Sequence, residues 1–114
     1  MSILENLTTL LSGLGVSVET GIFSDIAPEE YVVITPMTDT FELYASDKPG
    51  YERQEVRLSL YSKGNYLELK NNITAMLLNN DFTITLRQYV GHEDDTGYHH
   101  YTTDVLKLYA LREA

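Results

Sequence analysis

Between Tyr51 and Asn80 the apolar period changes from two residues to about 3.6, and that change fixes most of what the chain can become. Gln54, Val56, Leu58 and Leu60 alternate with Arg53, Glu55, Arg57, Ser59 and Tyr61, a strand with one inward face. Ser62-Lys63-Gly64-Asn65 is a turn, and Tyr66, Leu69, Ile73, Met76 and Leu77 then recur at helical spacing. Asn65 with Glu68 three residues on predicts an N-cap, and Asn80 a left-handed terminator. A turn this short leaves the helix to fold back onto the sheet. The strand's outward face alternates in charge, which fits cross-strand pairing in water or a contact between subunits.

The flanking segments supply the rest of one domain. Ser2–Leu14 predicts a helix with Ile3, Leu7, Leu10 and Leu14 on its stripe and Leu4 and Leu11 widening it, capped by Ser2 with Glu5 and ended by Gly13 and Gly15. Val16–Phe23 reads as a short strand. Tyr31–Thr35 is a β-branched and aromatic run, which Pro36 stops or bends, and Thr40–Ala45 alternates as a separate half-buried strand. Ser46–Gly50 reads as an exposed loop containing Asp47 and Lys48. Phe82–Val90 and Tyr98–Leu111 predict a closing hairpin around the loop Gly91–Gly97. In its second strand the core face is assigned to Leu106, Leu108 and Ala110, with Tyr101, Thr103, Val105, Lys107 and Tyr109 opposite. The fold class is α+β: a mainly antiparallel sheet with two helices packed on one face, in the order α-β-β-β-turn-α-β-β.

Charge and composition exclude several functions. Seventeen acidic residues against eight basic ones give −9, so there is no basic footprint for tight nucleic-acid binding. With no cysteine there are no disulfides or thiolate metal sites, and a reducing interior is the simplest home. No apolar run reaches the roughly 20 residues a membrane span needs, and the first residues do not read as a signal peptide.

One cluster has the side chains of a metal site: His92, Glu93, Asp94, Asp95, His99 and His100. It sits in a hairpin loop without a rigid supporting shell, and His99 and His100 would point to opposite faces. Glu93, Asp94 and Asp95 therefore read as solvated loop residues. The nucleophile-elbow, P-loop and dinucleotide patterns are missing, and no catalytic residue or cofactor is assigned. A small metal-dependent enzyme or ligand-binding domain built on His92–His100 is the alternative reading. The tyrosines Tyr89, Tyr98, Tyr101 and Tyr109 of the closing hairpin fit either a protein interface or the covering of a sheet edge.

The strand Glu55-Val-Arg-Leu-Ser-Leu-Tyr61, the polar turn and the helix opening Tyr66-Leu67-Glu68-Leu69 resemble the tail-completion and tail-terminator proteins of long-tailed phages and prophages. Pro28 followed by Tyr31-Val32-Val33 matches a further strand of that family, and the similarity covers nearly the whole chain by element order. The Gly91–Gly97 hairpin departs from it. The resemblance implies a virion structural protein at the head–tail junction: a ring, commonly of six subunits, that caps the tail tube, meets the head connector and lets DNA pass. It implies no enzyme activity and no membrane partner. The location would be the virion tail or neck, and the host cytoplasm during assembly. An acidic ring suits passage of DNA better than gripping it. Arg53, Glu55, Arg57, Tyr61, Tyr101 and Tyr109 are the candidate subunit-interface residues. On this reading an Arg53→Glu/Arg57→Glu double variant folds but does not assemble.

Overall fold

The computed structural model describes residues 2–20, 28–45 and 48–111. Its order is α1 (Ile3–Gly13), β1 (Ser17–Thr20), β2 (Glu30–Ala45), β3 (Lys48–Ser62), α2 (Tyr66–Asn79), β4 (Thr83–His92) and β5 (His99–Ala110). The strands form one sheet in the order β1-β2-β3-β5-β4. All neighbours are antiparallel except β1 and β2, which pair in parallel from Ser17↔Tyr31 to Thr20↔Ile34. The expected α+β class and element order hold, with a parallel pair at one edge.

Both helices cover the same face. Ile3, Leu7 and Leu11 of α1, and Leu69, Ile73, Met76 and Leu77 of α2, close over Val32, Ile34, Val56, Leu58, Leu60, Tyr101 and Val105. Cross-strand register explains why these strand residues belong together. Val32 faces Leu60 and Leu60 faces Tyr101; Ile34 faces Leu58 and Leu58 faces Thr103; Val56 faces Val105. Paired residues share a side of the sheet, so one layer of apolar side chains is built across three strands.

The helix starts are satisfied locally. The Glu5 amide donates to Ser2 Oγ at 3.2 Å, while the Ser2 hydroxyl donates to the Glu5 carboxylate at 3.1 Å. At α2 the Glu68 amide donates to Asn65 Oδ1 at 3.2 Å. Asn65→Ala removes an acceptor from an otherwise orphaned amide and is expected to cost about 1 kcal/mol, read from the urea midpoint. The terminator is not Asn80, whose φ is −116°. The left-handed residue is Asp81, with φ 65°. Asn80 instead donates its side-chain amide to the Met76 carbonyl at 2.8 Å. A short polar side chain tolerates either position, so spacing alone did not separate the two.

Three further expectations change. The segments Tyr31–Thr35 and Thr40–Ala45 are one strand, because Pro36 is absorbed in a register shift between Pro36 and Thr38 instead of ending the ladder. Residues 48–50 are already strand, with Pro49 opposite Tyr44. Asp47 and residues 21–23 of the expected first short strand lie outside the described residues, as does the Lys48 side chain. In the closing hairpin, Gly91 pairs with His100 and His92 with His99, so the loop proper begins only at Glu93. Gly97 within it takes φ 82°, a conformation that favours glycine.

The largest correction concerns β5. Tyr101, Thr103 and Val105 are buried, at 7%, 1% and 0% exposure, while Leu108 is 39% exposed and Ala110 is exposed. The assigned faces are thus reversed. The face is decided by the β3 residues beside it, and leucine content within β5 carries no information about that neighbour.

Candidate interaction surface

The candidate residues divide between three places. Tyr101 lies in the core and offers no surface. Tyr109 is half-buried on the helix side, where Asn6 Nδ2 donates to its hydroxyl at 3.3 Å, and burial pushes its pKa up. Arg53, Glu55, Arg57 and Tyr61 lie together on the face opposite the helices.

On that open face the charges are already paired within the chain. Arg57 makes a two-pronged bond to Asp104, Nε to Oδ1 at 2.7 Å and Nη2 to Oδ2 at 2.9 Å. The Asp104 side chain is only 7% exposed, whereas that of Arg57 is 44% exposed. The register places them directly opposite, so the sheet pre-positions the pair. Arg53 reaches Glu42 at 3.4 Å and Glu55 at 3.7 Å, both at half-exposed positions where such pairs are worth under about 1 kcal/mol. Reversing Arg57 would therefore break an internal bond as well as alter a surface, and the double reversal no longer isolates assembly. Arg53→Ala disturbs only these weaker pairs and is the milder probe of that face.

Aromatic rings gather at the end of the sheet nearest the hairpin loop, on both sides of it. On the open face Tyr31 stacks on Tyr61 with centroids 4.7 Å apart, and Tyr61 stacks on His100 at 4.3 Å. Tyr98 meets both tyrosines edge-on, and its hydroxyl donates to the Pro28 carbonyl at 2.6 Å. That bond ties the loop to the start of β2. On the helix side Tyr66 packs against Tyr89, His99 and Tyr101. The tyrosines of the closing hairpin are thus split between the two faces, with Tyr98 on one and Tyr89, Tyr101 and Tyr109 on the other.

Burial lowers the pKa of His100, opposed in part by the charge of Glu93, and its Nε2 is buried without a hydrogen-bond partner. Because the folded state binds this proton less readily than the unfolded chain, the associated stability is present above about pH 6.5 and is lost as pH falls below it. His100→Phe keeps a ring on Tyr61 and removes the titration. The variant is expected to show a flatter dependence of the urea midpoint on pH between about 7.5 and 5.5 than the parent.

His99 and His100 do point to opposite faces. His92 and His99 rings lie 4.7 Å apart, and His92 Nδ1 is 3.0 Å from Asp94 Oδ1. Glu93, Asp94 and Asp95 are exposed, as expected of the loop. Among the described residues no three His, Asp or Glu side chains come together in a group that could hold a metal. A groove of about 490 Å³ between the end of α1 and the start of α2 is lined by Val16, Glu29, Glu30, Asn65 and Glu68 among others. It brings carboxylates and amides together, with no histidine, serine or lysine among its described lining residues.

The expected strand Phe82–Val90 is present as β4, and what sequence reading missed is its exposure. This strand is the last of the sheet and exposes Leu86, Tyr89 and Val90 at 39%, 42% and 54%. Its alternation is regular, yet only Ile84 and Gly91 are even half-buried. Register shifts between Ile84 and Leu86 and between Tyr89 and Gly91 turn side chains that a regular strand would aim at the core. No helix of the described residues is long and apolar enough to cross a membrane. No protein-family model matches the chain, and no curated protein matches it.

Proposed function

We propose that this protein is a virion structural component of the tail-completion type, a ring-forming subunit that closes a phage tail tube at the head–tail junction. The observation that carries the reading is the element order α-β-β-β-α-β-β folded as one sheet with both helices on one face. That order matches the family resemblance except at the Gly91–Gly97 hairpin, which departs from it. Two further features support it. Among the described residues one face of the sheet carries no helix, as is common in antiparallel sheets, and the edge strand β4 exposes Leu86, Tyr89 and Val90, a surface that an assembling subunit can use. The net charge of −9 favours passage of DNA over adhesion to it.

In this role the tail-tube protein and the head connector bind opposite ends of the ring, and no chemical step is required of any side chain. Light scattering at low and high concentration, with and without tail-tube protein, tests the reading. Assembly beyond the monomer in at least one of these conditions is expected. A strict monomer in all of them contradicts the proposal.

A further inference from the structure

We infer that copies of this chain join head to tail by strand addition, the β4 edge of one copy pairing with the distal edge of β2 in the next. The inference deepens the ring reading and rests on it for closure of the ring.

The sheet ends in two unlike edges. β4 pairs with β5 alone, from Thr83↔Leu106 to His92↔His99. β2 has β1 beside it only from Tyr31 to Ile34, and among the described residues no strand lies on that side further along. Among the described residues, each edge therefore carries a row of ladder donors and acceptors with no strand partner. Solitary proteins usually blunt such edges with proline, lysine or inward charge. From Thr83 to His92 there is no proline and no lysine; the only protections there are two register shifts and Arg87, and the exposed side chains include Leu86, Tyr89 and Val90. Past Pro36, β2 exposes Met37 and Phe41 at 44% and 54%.

Charge selects between the possible pairings. Between Thr83 and Gly91 the only ionised side chain is Arg87, while Met37–Glu42 holds Asp39 and Glu42, the second also paired with Arg53. β4 against β2 sets a cation beside carboxylates. β4 against β4 would set Arg87 near its own copy, and β2 against β2 would crowd the carboxylates.

Direction agrees. β2 runs antiparallel to β3, β3 to β5, and β5 to β4, so β4 runs opposite to β2. A second copy added in the same orientation then meets β4 in an antiparallel ladder. Height adds a constraint. Following the register across the sheet, His92 lies level with Glu30 and Thr83 level with Thr38, whereas the open part of β2 continues beyond Thr38. Pairing the two edges shifts each copy along the strand direction, which is the stagger of a tilted, closed sheet. Unlike patches give a ring when the rotation closes.

The chain has no cysteine, so engineered ones report unambiguously. Gln88→Cys and Thr40→Cys, both at exposed positions, are prepared separately and mixed at a concentration where light scattering shows assembly, then treated with a short bismaleimide. Dimers joining the two variants, abundant in the mixture and scarce in either alone, are the expected result. Equal cross-linking of Gln88→Cys alone would mean β4 meets β4 and would overturn the inference. Assembly without cross-links would overturn it while leaving the ring reading intact. Failure of any copy to assemble would remove both. As a second measurement, Leu86→Asp/Val90→Asp is expected to retain its far-ultraviolet circular dichroism and raise the concentration needed for assembly at least about tenfold. An unchanged concentration would contradict the pairing.

Discussion

Leu58→Ala is expected to lower folding stability by about 3 kcal/mol, read from the urea midpoint at constant slope. Leu58 is fully buried in the middle of β3, with Ile34 on one side and Thr103 on the other, both also buried. Its neighbours are held on strands fixed by two ladders and roofed by α1 and α2, so they collapse poorly into the space left behind. The cost then includes the cavity as well as the lost transfer energy. Leu67→Ala is the matched control: Leu67 is 48% exposed on α2, and its truncation is expected to stay within about 0.5 kcal/mol. Comparable losses at the two sites would contradict the assignment of the core to this layer.

Arg57→Ala is expected to cost about 2–3 kcal/mol, more than Asp104→Ala, and the asymmetry is the informative part. Removing Arg57 leaves a carboxylate with a 7% exposed side chain and no cation. Removing Asp104 leaves a guanidinium that is 44% exposed and recovers water. The double variant is expected to be more stable than the sum of the single losses predicts, because the buried charge is gone from both sides of the cycle. Equal single losses, or strict additivity, would show that the two-pronged bond contributes little.

Much of the fold was legible because its local signals agree with one another. In β3 the alternation of Val56, Leu58 and Leu60 with Arg53, Glu55 and Arg57 admits one inward face, and the helix stripe Leu69, Ile73, Met76 and Leu77 admits one packing side. The two N-caps were legible for the same reason, since a side-chain oxygen three residues before an acidic partner has a fixed geometric use. β5 was not legible from itself. Both of its faces carry apolar residues, and leucines pull the assignment to the wrong one. The decisive signal was Asp104, which belongs opposite Arg57 on the polar side of β3 and carries Thr102 and His100 with it. Cross-strand charge, read before apolar content, would have set the face.

The candidate surface was less legible still. Arg53 and Arg57 look alike in sequence, but one holds half-exposed carboxylates and the other a buried one, a difference created by the strand that lands beside them. β4 looks like an interior strand because its period is regular. Edge position and the two register shifts expose it, and neither leaves a mark in the alternation itself. Pro36 shows the converse: of the two outcomes expected there, a stop or a bend, it is the irregularity that occurs, at a bulge where a missing amide donor costs little.

The sheet is proposed as a subunit of a ring that closes a tail tube. Negative-stain electron microscopy of purified tail tubes mixed with the full chain tests it most directly. A discrete ring seated at one end of each tube, lost when Leu86→Asp/Val90→Asp replaces the parent chain, is the expected result. Bare tube ends at concentrations where the chain is folded and abundant would contradict it.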